Sequence, residues 1–236
     1  MNAEELAKKR ANYLSFLKKQ PKGFLYLDEK QKPVAAKHAA KNADERAKNA
    51  DEIDALNCNY RDCTACPLGS QGRTQVVFGK GLAEATLMFV GEGPGKDEDL
   101  QGAPFVGRSG KLLTQIIEAM GLSRESVYIS NVVKCRPPEN RTPLPNESST
   151  CEDLLLLKEI AIIKPKIICT LGATATKALL GDETKITASR GMFVEWNGTL
   201  VLPTYHPAYL LRNPAEKRTV WEDMKKIMAK LAELEA

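Results

Sequence analysis

Long apolar runs are missing from this sequence, and their absence limits the kinds of protein that it can encode. None of its 236 residues belongs to a run of the roughly eighteen apolar residues that a membrane-spanning helix needs. The N-terminal segment MNAEELAKKR lacks the apolar core and the cleavage site of a secretory signal. We therefore expect an intracellular, cytoplasmic protein with no membrane partner.

A strong excess of one charge is also missing. The chain has 34 Lys and Arg residues against 30 Asp and Glu, a net charge of +4. This mild basic balance is compatible with a nucleic-acid partner, and equally with an ordinary charged surface. Composition alone therefore predicts a globular protein and does not choose its function.

Residues 1–57 differ in texture from the rest of the chain. They are rich in Ala, Lys, Glu, Asp and Asn, and their apolar residues are sparse. Glu4–Lys19 has a weak helical pattern, and Lys37–Leu56 is Ala-rich and charged. We expect a charged, mainly helical N-terminal extension over residues 1–57 and the functional domain over residues 58–236.

In the second region, short apolar runs that end in Gly, Asn or Pro alternate with helical stretches. The predicted strands are Thr86–Val90, Val127–Ser130, Lys166–Leu171 and a hairpin of Met192–Trp196 with Leu200–Thr204 around an Asn197-Gly198 turn. The predicted helices are Lys111–Met120, Cys151–Ile163, Ala173–Leu180 and Trp221–Leu234. This alternation predicts an α/β fold with a parallel sheet covered on both faces.

Polar, turn-forming segments follow three of the predicted strands. Gly91-Glu92-Gly93-Pro94-Gly95 follows the first, Asn131 the second, and Tyr205-His206-Pro207 the last. Ligands of such sheets bind beyond the carboxyl ends of the strands, so we expect these segments to converge on one rim.

Each of these segments, and the glycine-rich segment around Phe105, has a functional and a structural interpretation. The glycine-rich loop is not a P-loop, because no Gly-Lys-Ser/Thr follows, and Pro94 interrupts the dinucleotide-binding pattern. Phe105, among the glycines of residues 102–110, could stack on a base or belong to the core. The amide of Asn131 offers a paired donor and acceptor or caps a turn. His206, one of only two histidines, is either catalytic or structural.

The six cysteines are not expected to form disulfides in a reducing compartment. Cys63 and Cys66 have a two-residue spacing that lets two thiolates share one metal centre, and Cys135 and Cys151 follow downstream. Four thiolates suit either zinc or an iron–sulfur cluster, and the spacing does not choose between them. Unconnected buried thiols remain an alternative, as does Cys58 in place of Cys63. Cys169, inside an apolar strand, is expected to be a buried small hydrophobe.

Taken together, the ordered motifs resemble the family 4 uracil-DNA glycosylases, from Cys63 to about Arg212. The motifs are Cys63-x-x-Cys66-Pro-Leu, Gly91-Glu-Gly-Pro-Gly95, Pro104-Phe-Val-Gly-Arg108, Asn131-Val-Val-Lys-Cys-Arg-Pro-Pro, Cys151 and His206-Pro-Ala. The resemblance implies a three-layer α/β/α fold around a short central parallel sheet. It also implies a structural [4Fe-4S] cluster held by Cys63, Cys66, Cys135 and Cys151.

The resemblance further implies an enzyme of base-excision repair that acts as a monomer on uracil-containing DNA. It would hydrolyse the N-glycosidic bond of deoxyuridine, releasing uracil and leaving an abasic site. Phe105 and Gly91 would bind the flipped base, Asn131 would read its edge, and His206 would donate to its O2. Glu92 and the backbone of Gly93 would line the side from which water attacks.

Two positions depart from the better-known branches of that superfamily. Gly93 stands where a catalytic Asp is expected, and Gly95 stands where an aromatic residue excludes thymine. Phosphate contacts are expected from nearby basic residues, and a wedge that fills the gap left by the flipped base from the loop after His206. The basic residues are Arg108, Lys134, Arg136, Arg141 and Arg212, and the wedge candidates are Leu210, Leu211 and Arg212.

Three other functions remain open at this point. One is a non-catalytic uracil- or DNA-binding iron–sulfur protein on the same fold. The others are an electron-transfer iron–sulfur protein and a zinc-bound DNA module. A covalent DNA trap is disfavoured, because no histidine occurs between His38 and His206 to supply its loop.

Overall fold

The computed structural model describes residues 43–235, with side chains for residues 44–234. The helical prediction for Glu4–Lys19 lies outside these residues. Helix α1 spans Ala43–Asn59, within and just beyond the predicted helical stretch, and buries Ile53 and Leu56 against the domain. The boundary predicted at residue 57 falls inside this helix.

Six strands form one sheet, in the order β1-β3-β2-β4-β6-β5. They are β1 (Lys80–Gly81), β2 (Leu87–Gly91), β3 (Tyr128–Asn131), β4 (Ile167–Leu171), β5 (Val194–Trp196) and β6 (Thr199–Thr204). The four central strands are parallel, which confirms the predicted parallel sheet, while β1 and β5 pair antiparallel at the two edges. The predicted Asn197-Gly198 turn joins β5 to β6, and both residues have positive φ.

Helices connect the strands and cover the sheet. After α1 come α2 (Lys96–Gln101), α3 (Arg108–Ala119), α4 (Pro145–Cys151), α5 (Leu157–Ile163), α6 (Ala173–Leu180), α7 (Ile186–Ser189), α8 (Pro207–Arg212) and α9 (Lys217–Glu235). Short 3₁₀ turns occur at Pro67–Ser70, Pro138–Asn140 and Pro214–Glu216. The helix predicted over Cys151–Ile163 is helical throughout, but the helical stretch begins earlier, at Pro145, and it contains a π-helical segment, Glu152–Leu156, between α4 and α5.

The core lies on both faces of the sheet, as a three-layer fold requires. Successive side chains of a strand point to opposite faces. Accordingly, Leu87 and Phe89 pack with α3 and α9 on one face, whereas Met88 and Val90 pack with α1, α5 and α6 on the other. Both sets are fully buried, so the predicted α/β/α layering is confirmed.

The carboxyl ends of the central strands meet at one rim. Gly91 at the end of β2 is in register with Asn131 of β3, and Leu171 of β4 is in register with Thr204 of β6. This brings together the three polar segments that the sequence placed after strands. In the part of the chain described, no helix has the length and apolar character needed to cross a membrane.

Candidate active site

A cleft of about 230 Å³ opens at this rim. Five of the predicted site residues line it, namely Glu92, Gly93, Phe105, Asn131 and His206. The remaining lining residues are Pro94, Gly95, Glu98, Ser109, Pro137, Asn140, Arg141, Pro143 and Ala208. The predicted convergence of the three post-strand segments is therefore confirmed.

Asn131 presents an unpaired acceptor to the cleft. The residue is only 2% exposed, and its Oδ1 is buried with no hydrogen-bond partner in the described residues. An unsatisfied buried acceptor costs about 1–3 kcal/mol. A ligand N–H directed at this oxygen would remove that cost.

Gly91 lets Phe105 approach Asn131. A Cβ on Gly91 would lie 2.4 Å from the ring of Phe105 and 2.5 Å from Oδ1 of Asn131. Any side chain at this position would push the two apart. Gly91 therefore contributes to the site by the space it leaves.

Phe105 has a left-handed backbone, with φ of 54°. For a residue with a side chain this conformation costs roughly 1–2 kcal/mol, so neighbouring contacts must hold it. Gly110 passes so close that a Cβ there would lie 2.0 Å from the Phe105 carbonyl. The ring is buried at the cleft, and its centroid is 5.6 Å from that of His206.

Glu98 ties the two glycine-rich loops together, a role that the sequence did not assign. Its carboxylate accepts hydrogen bonds from the N–H groups of Val106 and Gly107, at 2.9 and 2.8 Å. It also accepts from the N–H of Gly95, at 3.2 Å. The only signal in the sequence was its position three residues into a helix that follows glycine, which suits a capping carboxylate.

His206 is held as a neutral donor. It caps α8, and its Nδ1 accepts a hydrogen bond from the N–H of Ala208 at 3.1 Å. Burial, and next the charge of Arg212, lower the pKa of the imidazole to about 4. At neutral pH the single ring proton therefore lies on Nε2, because Nδ1 must be free of a proton to accept.

Glu92 is oriented by a residue that sequence reasoning missed. The hydroxyl of Thr174, at the start of α6, donates to its carboxylate. Next to it, Gly93 packs so closely that a Cβ would lie 2.6 Å from a methyl carbon of Val133. The carboxylate of Glu92 thus has a fixed position at the edge of the cleft.

The four candidate cysteine ligands line a second, small cavity. Cys135 and Cys151 are buried, whereas Cys63 and Cys66 are half-buried. Within residues 43–235, no three His, Cys, Asp or Glu side chains are arranged to enclose a single metal ion. The cavity also contains Ala65, Val76, Lys134, Thr150, Leu154 and Leu155.

Two donors face these sulfur atoms. Arg73 donates to Sγ of Cys135 at 3.1 Å, and the backbone N–H of Lys134 lies 3.3 Å from Sγ of Cys151. Burial raises the pKa of the Cys135 thiol, and it raises that of Cys151 to about 12. Cys169 is fully buried in β4 as predicted, and Cys58 is exposed and does not line the cavity.

Two of the residues expected to contact DNA are placed elsewhere. Lys134 is completely buried and pairs with Glu159 at 2.7 Å, so its prediction as a phosphate contact is wrong. Leu210 belongs to the core and cannot be a wedge. The candidates that remain exposed are Arg108, Leu211 and Arg212.

Arg141 lies at the cleft but is already engaged. Its guanidinium makes a bidentate pair with the buried carboxylate of Glu147, both distances being 2.8 Å. This pair fixes the loop of residues 141–147 beside the cleft.

The sequence was also compared with protein families and with individual proteins. The family model described as "Uracil DNA glycosylase superfamily" matches residues 78–225, more than half of the chain. The Type-4 uracil-DNA glycosylase of Thermotoga maritima is 51% identical over 178 residues, which are 74% of this chain and 92% of that relative.

Two further relatives match a similar share of the chain. The Type-4 uracil-DNA glycosylase of Sulfurisphaera tokodaii is 46% identical over 186 residues, 75% of this chain and 84% of the relative. That of Saccharolobus solfataricus is 43% identical over 191 residues, 77% of this chain and 88% of the relative. The chain therefore belongs to the uracil-DNA glycosylase superfamily, within its type-4 family.

Proposed function

We propose that this protein is a monofunctional uracil-DNA glycosylase, which hydrolyses the N-glycosidic bond of deoxyuridine in DNA. The observation that carries the proposal is the buried Oδ1 of Asn131, which has no partner among the described residues and faces a cleft shared with Phe105 and a neutral His206. The aromatic face of Phe105, the amide of Asn131 and the imidazole donor of His206 match the ring face, the N3–H and O4 edge, and the O2 atom of uracil.

Asn131 distinguishes uracil from cytosine. Its Oδ1 accepts from N3–H of uracil, and its amide nitrogen donates to O4. Cytosine presents an acceptor at N3 and a donor at position 4, so both amide groups would stay unpaired. Each unpaired group costs about 1–3 kcal/mol, which is enough to reject the wrong base. Phe105 stacks on the base and contributes roughly 1–3 kcal/mol.

His206 stabilises the departing base. When the C1′–N1 bond breaks, its electron pair stays with uracil and negative charge gathers on O2. Nε2–H of His206 donates to that oxygen, since its Nδ1 is occupied by Ala208. Glu92, held by Thr174, accepts a hydrogen bond from the water that captures C1′, and the proton that this water loses balances the negative charge of the released uracil.

The substrate has to leave the DNA stack before it can enter this cleft. Arg108 and Arg212 are exposed and available for phosphate contacts, and Leu211 is the exposed apolar residue next to α8's end that can fill the gap. The protein is proposed to act as a monomer, inside the cell where DNA is present.

The cysteine cavity is proposed to hold a [4Fe-4S] cluster on Cys63, Cys66, Cys135 and Cys151. Four thiol groups around one cavity, with Arg73 to balance negative charge, suit such a cluster. When bound, the cluster supplies a cross-link between the segment before β1, the segment after β3 and α4. Iron and acid-labile sulfide analysis of the purified protein tests this, and a brown, iron-containing protein is expected. A colourless protein containing zinc would contradict the proposal.

The test of the function is excision of uracil from a labelled oligonucleotide with a single U, scored by alkaline cleavage at the abasic site. We expect cleavage by the wild type and a 10- to 100-fold lower rate for Asn131→Ala, because about 1–3 kcal/mol of base recognition is lost. Asn49→Ala serves as the control, since Asn49 is also buried but donates to the carbonyl of Ala83, and neither residue lines the cleft. A folded wild type that binds the oligonucleotide without cleaving it would indicate the non-catalytic binder instead.

A further inference from the structure

Arg124 is an arginine outside the cleft that is bonded to the cleft's stacking residue. Its Nη2 donates to the carbonyl of Pro104 at 2.7 Å, and its Nη1 donates to the carbonyl of Phe105 at 3.0 Å. Nη1 also reaches the hydroxyl of Thr114 at 3.1 Å, which orients the guanidinium. Arg124 itself does not line the cleft.

Arg124 binds the backbone of a residue in an unfavourable conformation. Phe105 is in the left-handed region, with φ of 54°, which a residue with a bulky side chain avoids without external support. On the other side of the same turn, Glu98 accepts from the N–H groups of Val106 and Gly107. A cation thus binds the carbonyl groups of the turn, and an anion binds its N–H groups.

The two charges also favour each other. Burial lowers the pKa of Arg124, and the neighbouring Glu125 and Glu98 oppose that shift. The planar fork of an arginine can bind two carbonyls at once, which the single ammonium of lysine cannot do with the same geometry.

We propose, on the basis of the uracil-excising function above, that Arg124 is a positioning residue: it fixes the Phe105 backbone so that the ring presents its face to the flipped base. Because Arg124 does not line the cleft, it is not expected to contact the base directly. Its contribution is therefore to the affinity for the base, and it acts entirely through Phe105.

A double-mutant cycle tests this dependence. KM and kcat are measured on the single-U oligonucleotide for the wild type, Arg124→Met, Phe105→Ala and the double variant. We expect Arg124→Met to raise KM about tenfold with little change in kcat, as the loss of stacking predicts. In the Phe105→Ala background the same substitution should change KM less than about twofold, because the residue it acts through is absent.

Two further variants separate positioning from charge and from folding. Arg46→Met removes a positive charge from the surface groove that Arg46 shares with Arg124, without touching Phe105, and should leave KM unchanged. Arg124→Lys should raise KM about threefold, between the wild type and Arg124→Met. If Arg124→Met does not fold, the KM of Arg124→Lys tests whether Arg124 positions Phe105.

The proposal is overturned if Arg124→Met raises KM equally in both backgrounds, or if neither Arg124 variant changes KM. If the wild type binds the oligonucleotide but excises nothing, the proposed function fails independently. The same proteins are then compared by Kd for the oligonucleotide, with the same pattern expected for a positioning role.

Discussion

His206→Ala is expected to lower the rate constant for uracil excision by about 10²–10³, the effect of removing one donor to a developing oxyanion. The alanine variant retains Asn131, Phe105 and the exposed basic residues, so we expect its Kd for the oligonucleotide to change less than about threefold. The measurement is single-turnover cleavage at saturating protein, alongside a binding titration. These two readouts separate loss of chemistry from loss of binding.

The hydrogen bonding of His206 leaves one ring nitrogen that can donate to the base. Nδ1 of His206 accepts from Ala208, so only Nε2 has a proton to donate. His206→Asn retains a donor of shorter reach and should recover part of the rate. An alanine variant that excises uracil at the wild-type rate would remove His206 from the mechanism.

The pH dependence of the same residue follows from its pKa. Burial lowers that pKa from 6.5 to about 4, so the imidazole stays neutral through the range in which a free histidine titrates. We therefore expect no change in excision rate from His206 between pH 7 and about 5. Between 6.5 and about 4 the unfolded chain binds more protons than the folded one, so the free energy of unfolding falls as the pH falls through that window.

Sequence patterns located most of the regular elements in the described residues. The central strands were predicted because short apolar runs bounded by Gly or Asn indicate buried strands. Helix α6 was predicted from the helical stretch that follows one of these strands. The edge strand Lys80–Gly81 was missed, because two exposed residues leave no hydrophobic pattern. The π-helical segment was missed because its apolar spacing is close to that of an α-helix.

The site was predictable where chemistry followed a strand, and not where a role depended on a tertiary partner. Asn131 and His206 could be located because the fold brings strand ends to one rim. Glu98 and Arg124 bind backbone groups 8 to 20 residues away in the chain. The capping position of Glu98 indicates its bond to Gly95, but no local pattern indicates the bonds to the Phe105 turn. The same limit explains Lys134, which becomes buried and pairs with Glu159 only when the chain folds.

Residues 131–135 connect the two cavities. Asn131 lines the cleft at one end, where we propose that it reads the base, and Cys135 lines the cysteine cavity at the other. Between them, the ammonium of Lys134 donates to the carbonyl of Asn131 at 2.7 Å while its backbone N–H faces Cys151. A change in backbone position at the cysteine cavity should therefore shift the Asn131 amide, because only residues 131–135 separate the two.

Cys135→Ala is accordingly expected to lose the proposed cluster and most of the activity. The iron content should fall from about four atoms per chain to near zero, together with the broad absorbance at the edge of the visible range. Losing a structural metal centre should lower the free energy of unfolding by about 3 kcal/mol or more, which for a chain of this size means a Tm about 6–12 °C lower. Iron analysis, absorption spectra and thermal unfolding measure these changes.

The matched control is Cys169→Ala, which removes a sulfur atom that is just as buried but lies in β4, away from the cysteine cavity. It should keep its iron and colour and cost only about 1 kcal/mol, the usual effect of a small cavity. If both variants lost iron equally, general destabilisation would explain the loss. If Cys135→Ala stayed coloured and stable, Cys135 would not be a ligand, and the segment from Asn131 to Cys135 would not depend on the cluster for its position.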